Sequence, residues 1–90
     1  MERELIQDTK ETLLTIADTL YQGRVSDGIA AMNGVIPSLS LIASGIQDEG
    51  LQQRLITDAL TPILSAMEEE DGTLMADLIT YELVEILDLL

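Results

Sequence analysis

From Gly28 to Gln47 the chain runs for twenty residues without a charge, although the whole protein carries 17 acids and 4 bases in 90 residues. Within that stretch Ile29, Met32, Ile36, Leu39, Ala43 and Ile46 recur at spacings of three and four, and Val35 and Ile42 widen the stripe. That period is helical and gives the segment a broad apolar face. The other side holds Ala30, Asn33, Pro37, Ser40, Ser44 and Gln47, which are small and neutral. Ala30, Gly34 and Ser38 recur every four residues and would let another backbone come close. A helix with so little charge is expected to be the least exposed of the molecule. Its length would span a bilayer. The polar side chains, the glycines and the lack of a flanking basic cluster argue instead for the core helix of a soluble domain.

Three further helices account for the rest. The first is expected from about Glu2 to Gln22, with Leu5, Ile6, Leu13, Ile16, Ala17 and Leu20 on its inner arc. Gly23 suits a left-handed C-cap, and Ser26 or Asp27 is expected to cap the second helix. That second helix should run from about Asp27 to Ile46. Asp48 is a good N-cap for a third helix from about Glu49 to Glu69, burying Leu55, Ile56, Ala59, Leu60, Ile63 and Met67. The fourth is expected to start near Thr73 and run to about Leu89. Its core face holds Met75, Ile79, Leu83, Ile86 and Leu90. Pro37 and Pro62 each remove a backbone donor, so kinks are expected there. Short links force neighbouring helices to run antiparallel. The fold class is therefore all-α, an up-down-up-down four-helix bundle in a single domain over residues 1–90.

Composition narrows the partners. There is no Phe or Trp, and Tyr21 and Tyr81 are the only rings, so the core must be aliphatic. The net charge of −13 repels phosphate backbones and anionic lipid, which argues against nucleic acid and membrane and leaves a basic protein partner or none. No cysteine is present, so neither disulfides nor thiolate zinc sites are available. Met1-Glu2-Arg3-Glu4 lacks the layout of a signal peptide, and a cytoplasmic location is expected.

The chemistry-bearing patterns are weak. Di-iron bundles need Glu-x-x-His pairs, and there is no histidine. An EF-hand loop with Gly72 at its sixth position would end at Leu78, where a carboxylate is required. The carboxylates fall on expected solvent faces, Lys10 falls on the exposed arc of the first helix, and no base stands by to activate a Ser or Thr. No enzymatic activity, metal or cofactor is expected.

Helix four departs from simple amphipathicity. Opposite its core face stand Leu74, Leu78 and Tyr81 among Asp77, Glu85 and Asp88. A helix apolar on two sides usually has two things to pack against. Leu74, Asp77, Leu78, Tyr81 and Glu85 therefore form the candidate partner-binding set, with Tyr81 as a rigid amphipathic anchor and the acids as a rim. The run Leu74-Met75-Ala76-Asp77-Leu78-Ile79-Thr80-Tyr81-Glu82-Leu83 resembles a Leu-Leu-Ala-Asp-Leu-Leu-x-Tyr-Glu signature of small acidic helical proteins from Gram-positive bacteria. Some members of that group are associated with motility gene neighbourhoods. The proline expected soon after the Tyr-Glu pair is absent here, where Val84-Glu85-Ile86 follow. The resemblance implies a protein-interaction role and carries no catalytic residues. The expected function is a small cytoplasmic interaction module, adaptor or chaperone-like. The alternative is a structural, self-assembling homodimer, with its interface on helix four or helix two.

Overall fold

The computed structural model describes residues 3–90, which form four helices and no strand. Glu2, where the first helix was expected to start, lies with Met1 outside the described residues. Helix α1 spans Arg3–Tyr21 and α2 spans Val25–Gly45. Helix α3 covers residues 49–68 and α4 covers residues 72–88, each continuous but containing a segment of wider, π-helical turns. The all-α bundle expected from the apolar periods is what forms.

Two of the three connections are short because the preceding helix closes on itself. Gly23 takes φ +85, Arg24 donates to the Thr19 carbonyl at 3.2 Å, and Gly23 donates to the Leu20 carbonyl at 3.0 Å. This paired closure is the Schellman motif, and glycine adopts its left-handed residue without strain. It turns the chain so sharply that α2 begins at Val25. Neither Ser26 nor Asp27 is its N-cap; Arg24 holds that position without a side-chain cap bond. Asp27 sits in the first turn and pairs with Arg24 through Nη2 at 3.0 Å.

Asp48 caps α3 as expected, accepting from the Leu51 amide at 3.1 Å. The α3–α4 corner repeats the closure of the first: Asp71 donates to the Ala66 carbonyl and Glu70 to that of Met67. Here the left-handed residue is Glu70, at φ +55, where a side chain is strained by roughly 1–2 kcal/mol. Helix α4 then starts at Gly72 rather than Thr73, capped by the Asp71 carboxylate on the Leu74 amide at 3.1 Å.

Both prolines lie within continuous helices. Pro37 leaves the Asn33 carbonyl without its usual helical donor, at a point where Asn33 is exposed to water. Pro62 follows the π-helical segment Arg54–Leu60, where the Thr61 amide reaches back to the Ile56 carbonyl. The widened turn lies where a proline ring would otherwise press on the carbonyl four residues back, that of Asp58.

The core is aliphatic throughout. Leu13, Ile16 and Leu20 of α1 meet Met32, Leu39 and Ile42 of α2, Leu55, Ala59 and Ile63 of α3, and Met75, Ile79, Leu83 and Leu87 of α4. Among the described residues no buried side-chain nitrogen or oxygen lacks a hydrogen-bond partner. Thr9, unexpected in the core from its type, is buried with them.

Four further expectations need correction. Helix α2 is not the least exposed. It packs chiefly on α1, whereas α1 is flanked closely by both α2 and α4, and α3 leans on α4. Helices α2 and α3 close the bundle more loosely, with Gln52 Nε2 donating to the Ala43 carbonyl at 2.8 Å. One close neighbour covers one face, so Ala30, Asn33, Gly34, Pro37, Ser40, Leu41 and Ser44 remain exposed. Second, Ile56 is exposed rather than buried; within the π-helical segment Arg54–Leu60 the buried positions are Leu55 and Ala59. Third, Leu90 is exposed and Leu87 takes its place in the core. The helix ends at Asp88, so Leu90 lies beyond it and off its core face, while Leu87 is buried beside Ile86. Fourth, Lys10 is half-buried and forms an ion pair with Asp88, rather than lying free on the outer arc of α1.

The three helix ends around Leu20 are the tightest junction. A Cβ on Gly28 would stand 2.7 Å from Leu20 Cγ, and one on Gly72 would stand 2.7 Å from Val25 Cγ2. Gly28→Ala is therefore expected to lower stability in urea titrations. Overpacking costs about 1–3 kcal/mol, more than the roughly 1 kcal/mol that alanine contributes to a helix. Glu70→Gly should act oppositely and add about 1 kcal/mol by relieving the left-handed strain. Glu70→Gln, which removes only the charge, should add less.

Candidate functional site

The outer side of α4 and the last turn of α1 share one surface. These helices run antiparallel: the Tyr21 hydroxyl at the end of α1 donates to Asp77 Oδ1 near the start of α4 at 2.6 Å. At the opposite end of the same pair, Lys10 meets Asp88. Tyr21 is 50% exposed and Tyr81 63% exposed, so both aromatic rings of the protein lie at the surface while its interior is aliphatic. Burying a ring would remove more water-accessible apolar area than any aliphatic residue does. The chain leaves that area uncovered twice, and on neighbouring positions.

The candidate residues divide. Leu74, Tyr81 and Glu85 are exposed, and Asp77 is half-buried, so these four face outward on α4. Leu78 is also half-buried but packs against the core, and belongs to the interior edge rather than to the free surface.

Tyr21 was not among the expected residues, and the structure brings it into the group. Its signal in the sequence was indirect: it ends helix one, beside the start of helix four in any antiparallel bundle. The hydrogen bond to the Asp77 carboxylate is the main reason its phenol is held above the ordinary value of 10.0. Loss of solvent adds to that shift, while the neighbouring Thr80 hydroxyl works against it. Asp77 thus fixes the direction of the Tyr21 ring and keeps its proton in place. Leu14, one heptad before Tyr21, is also exposed and extends the apolar character along α1.

A concavity lies at the far end of the α1–α4 pair. It is an open groove of about 430 Å³ lined by Arg3, Ile6, Lys10, Leu87, Asp88 and Leu90. Lys10 is already paired with Asp88 there and Glu4 on the rim offsets Arg3, so the groove offers no strong net charge to a ligand. Among the described residues no three Asp or Glu side chains converge on a point that could hold a metal ion. What the α4 surface can do chemically is bind. It offers two rigid phenol-bearing rings, a leucine, and carboxylates at Asp77 and Glu85 placed to meet a cationic neighbour.

A family model described as Domain of unknown function (DUF8042) matches residues 3–90. The chain belongs to this family. The match covers all four helices, so the bundle and the Tyr21–Asp77–Tyr81 surface lie inside the family's own domain. No curated protein and no solved structure matches the chain.

The Tyr21–Asp77 contact has a direct readout. In a Tyr81→Phe background, the ultraviolet phenolate titration reports Tyr21 alone, and Asp77→Ala should move it to lower pH. The sign for stability follows from the raised folded value. The contribution of this contact is fully present below pH 10.0 and is lost as pH rises through the folded pKa of Tyr21. A titration unchanged by Asp77→Ala would mean that the contact does not hold the proton.

Proposed function

We propose that the protein is a small cytoplasmic interaction module, adaptor or chaperone-like and without catalytic activity. It binds another protein through the Leu74, Asp77, Tyr81 and Glu85 side of α4 together with Tyr21 of α1. The observation that carries this reading is the exposure of both aromatic residues side by side, with one of them oriented by a carboxylate. Tyrosine supplies large contact area at little cost in side-chain entropy and is enriched where binding energy concentrates. The net charge of −13 favours a basic partner and speeds its approach. The resemblance of Leu74–Leu83 to the signature of small acidic helical proteins supports an interaction role as well.

The test is capture of a partner from the cytosol of the source cell by the immobilised protein, wild type beside variants. A specific partner should be retained by wild type and by Leu64→Ala, which alters an exposed leucine on α3. Tyr81→Ala and Tyr21→Ala should each reduce retention about tenfold or more, with far-ultraviolet circular dichroism unchanged. Capture should weaken as salt is raised if the partner is basic. Retention equal across all four proteins would remove this surface from consideration.

A further inference from the structure

We propose that the uncharged outer face of α2 is a self-association surface, on which α2 of a second copy packs antiparallel across a two-fold axis near Pro37. The inner stripe of α2 is used by the core through Met32, Val35, Leu39 and Ile42. Its outer side is left without a neighbour over almost the whole helix, and it carries Leu41, at 64% the most exposed large hydrophobic among the described residues. Four small or rigid exposed residues, Ala30, Asn33, Gly34 and Pro37, lie at i, i+3, i+4 and i+7, which is the outline of a hole that accepts one side chain from a facing helix. Nothing stands within 4 Å of where a Gly34 Cβ would be, so the floor of that hole is open. A helical glycine weakens the isolated chain, and no close contact within the chain requires one at this position.

Knob and hole belong to the same helix, and that makes the face self-complementary. With the axis near Pro37, Leu41 of each copy lies over the Ala30–Pro37 hole of the other. The two knobs are then about 11 Å apart along the helix. Both are satisfied at once, as a two-fold interface demands.

Electrostatics selects the same occupant. A second copy also carries −13, and exposed carboxylates stand on α1 (Asp8, Glu11, Asp18), on α3 (Glu49, Asp58, Glu68) and on α4 (Glu85, Asp88). On α2 the only acid is Asp27, at the N-terminal end and paired with Arg24. Two copies meeting through α2 bring no unpaired carboxylates of that helix together. A basic partner would be drawn to the other helices instead. Helix α2 is also long and apolar enough to cross a membrane, with a mean hydropathy of 1.3, but the excess negative charge opposes approach to anionic lipid. A helix of 21 residues is about 31 Å long, so the contact is at the small end of stable interfaces, well under the usual ~800 Å² per partner. The dimer should therefore be reversible, with a dissociation constant in the micromolar range.

Sedimentation equilibrium of the whole chain tests this. Wild type should show a monomer–dimer equilibrium that tightens from about 0.02 M to 0.5 M sodium chloride as repulsion is screened. Leu41→Lys should weaken it by about 100-fold or more. Gly34→Leu should do the same by filling the hole. Because Gly34 opens to solvent, that variant keeps its fold, and loss of the dimer cannot be ascribed to unfolding. Tyr81→Ala should leave the equilibrium unchanged, which separates this face from the α4 surface. The chain has no cysteine, so single cysteines report geometry. Pro37→Cys, near the axis, should cross-link readily, whereas two Ser44→Cys residues would lie about 20 Å apart and should not. A wild-type monomer at millimolar concentration overturns the proposal, as does a dimer indifferent to Leu41→Lys and Gly34→Leu. Cross-linking through Ser44→Cys instead of Pro37→Cys overturns the antiparallel arrangement. A monomer that floats with phosphatidylcholine vesicles and is released by Leu41→Lys would assign the face to lipid and equally overturn it.

Discussion

Leu20 is the contact on which the arrangement of the helices depends. It sits at the end of α1, fully enclosed, with Gly28 of α2 against it and Gly72 of α4 close by. Because neither glycine carries a Cβ, the first turns of α2 and α4 can both press onto the last turn of α1. Helix α1 thereby becomes the central strut of the bundle, with α2 on one side and α4 on the other. The same junction brings Tyr21, the next residue, within hydrogen-bonding distance of Asp77. The surface chemistry of the protein is thus set by how its core closes at one end.

Much of this was legible from residue spacing. The stripe Leu13–Ile16–Ala17–Leu20, the left-handed Gly23 and the Asp48 cap all lie where local rules put them, because each depends on a few neighbouring residues. Two kinds of feature were hidden. The wide turn at residues 79–83 carries no strong local signature, and after it Leu87 lies in the core beside Ile86. The exposure of α2 is hidden for a different reason. Absence of charge is not burial; it means only that water exposure at those positions is tolerated without charge. How much of a helix is covered depends on how many neighbours it has, which no single segment reveals.

The candidate site shows the same division. Leu74, Asp77, Tyr81 and Glu85 follow from the period of one helix, and they do share the outer side of α4. Leu78 shares the wheel position of Leu74, and only the packing of the whole bundle shows that it leans on the core. Tyr21 was missed because its membership depends on a contact spanning 56 residues of sequence. With an aliphatic interior the bundle needs no ring to fill it, so its two tyrosines are free to serve at the surface.

The wide turns have a further meaning for how such a chain can change. A π-helical turn is, in effect, an α-helix that has absorbed one residue more than its period allows. Removing one residue from Ile79–Leu83 would restore the ordinary period and leave the side chains before and after it facing as they do now. The same holds for Arg54–Leu60, which packs beside it on the neighbouring helix. Elsewhere in these helices, losing a residue would swing everything downstream by about 100° and break the core. These two segments are the places where the length of the chain can vary by one while the bundle keeps its registration.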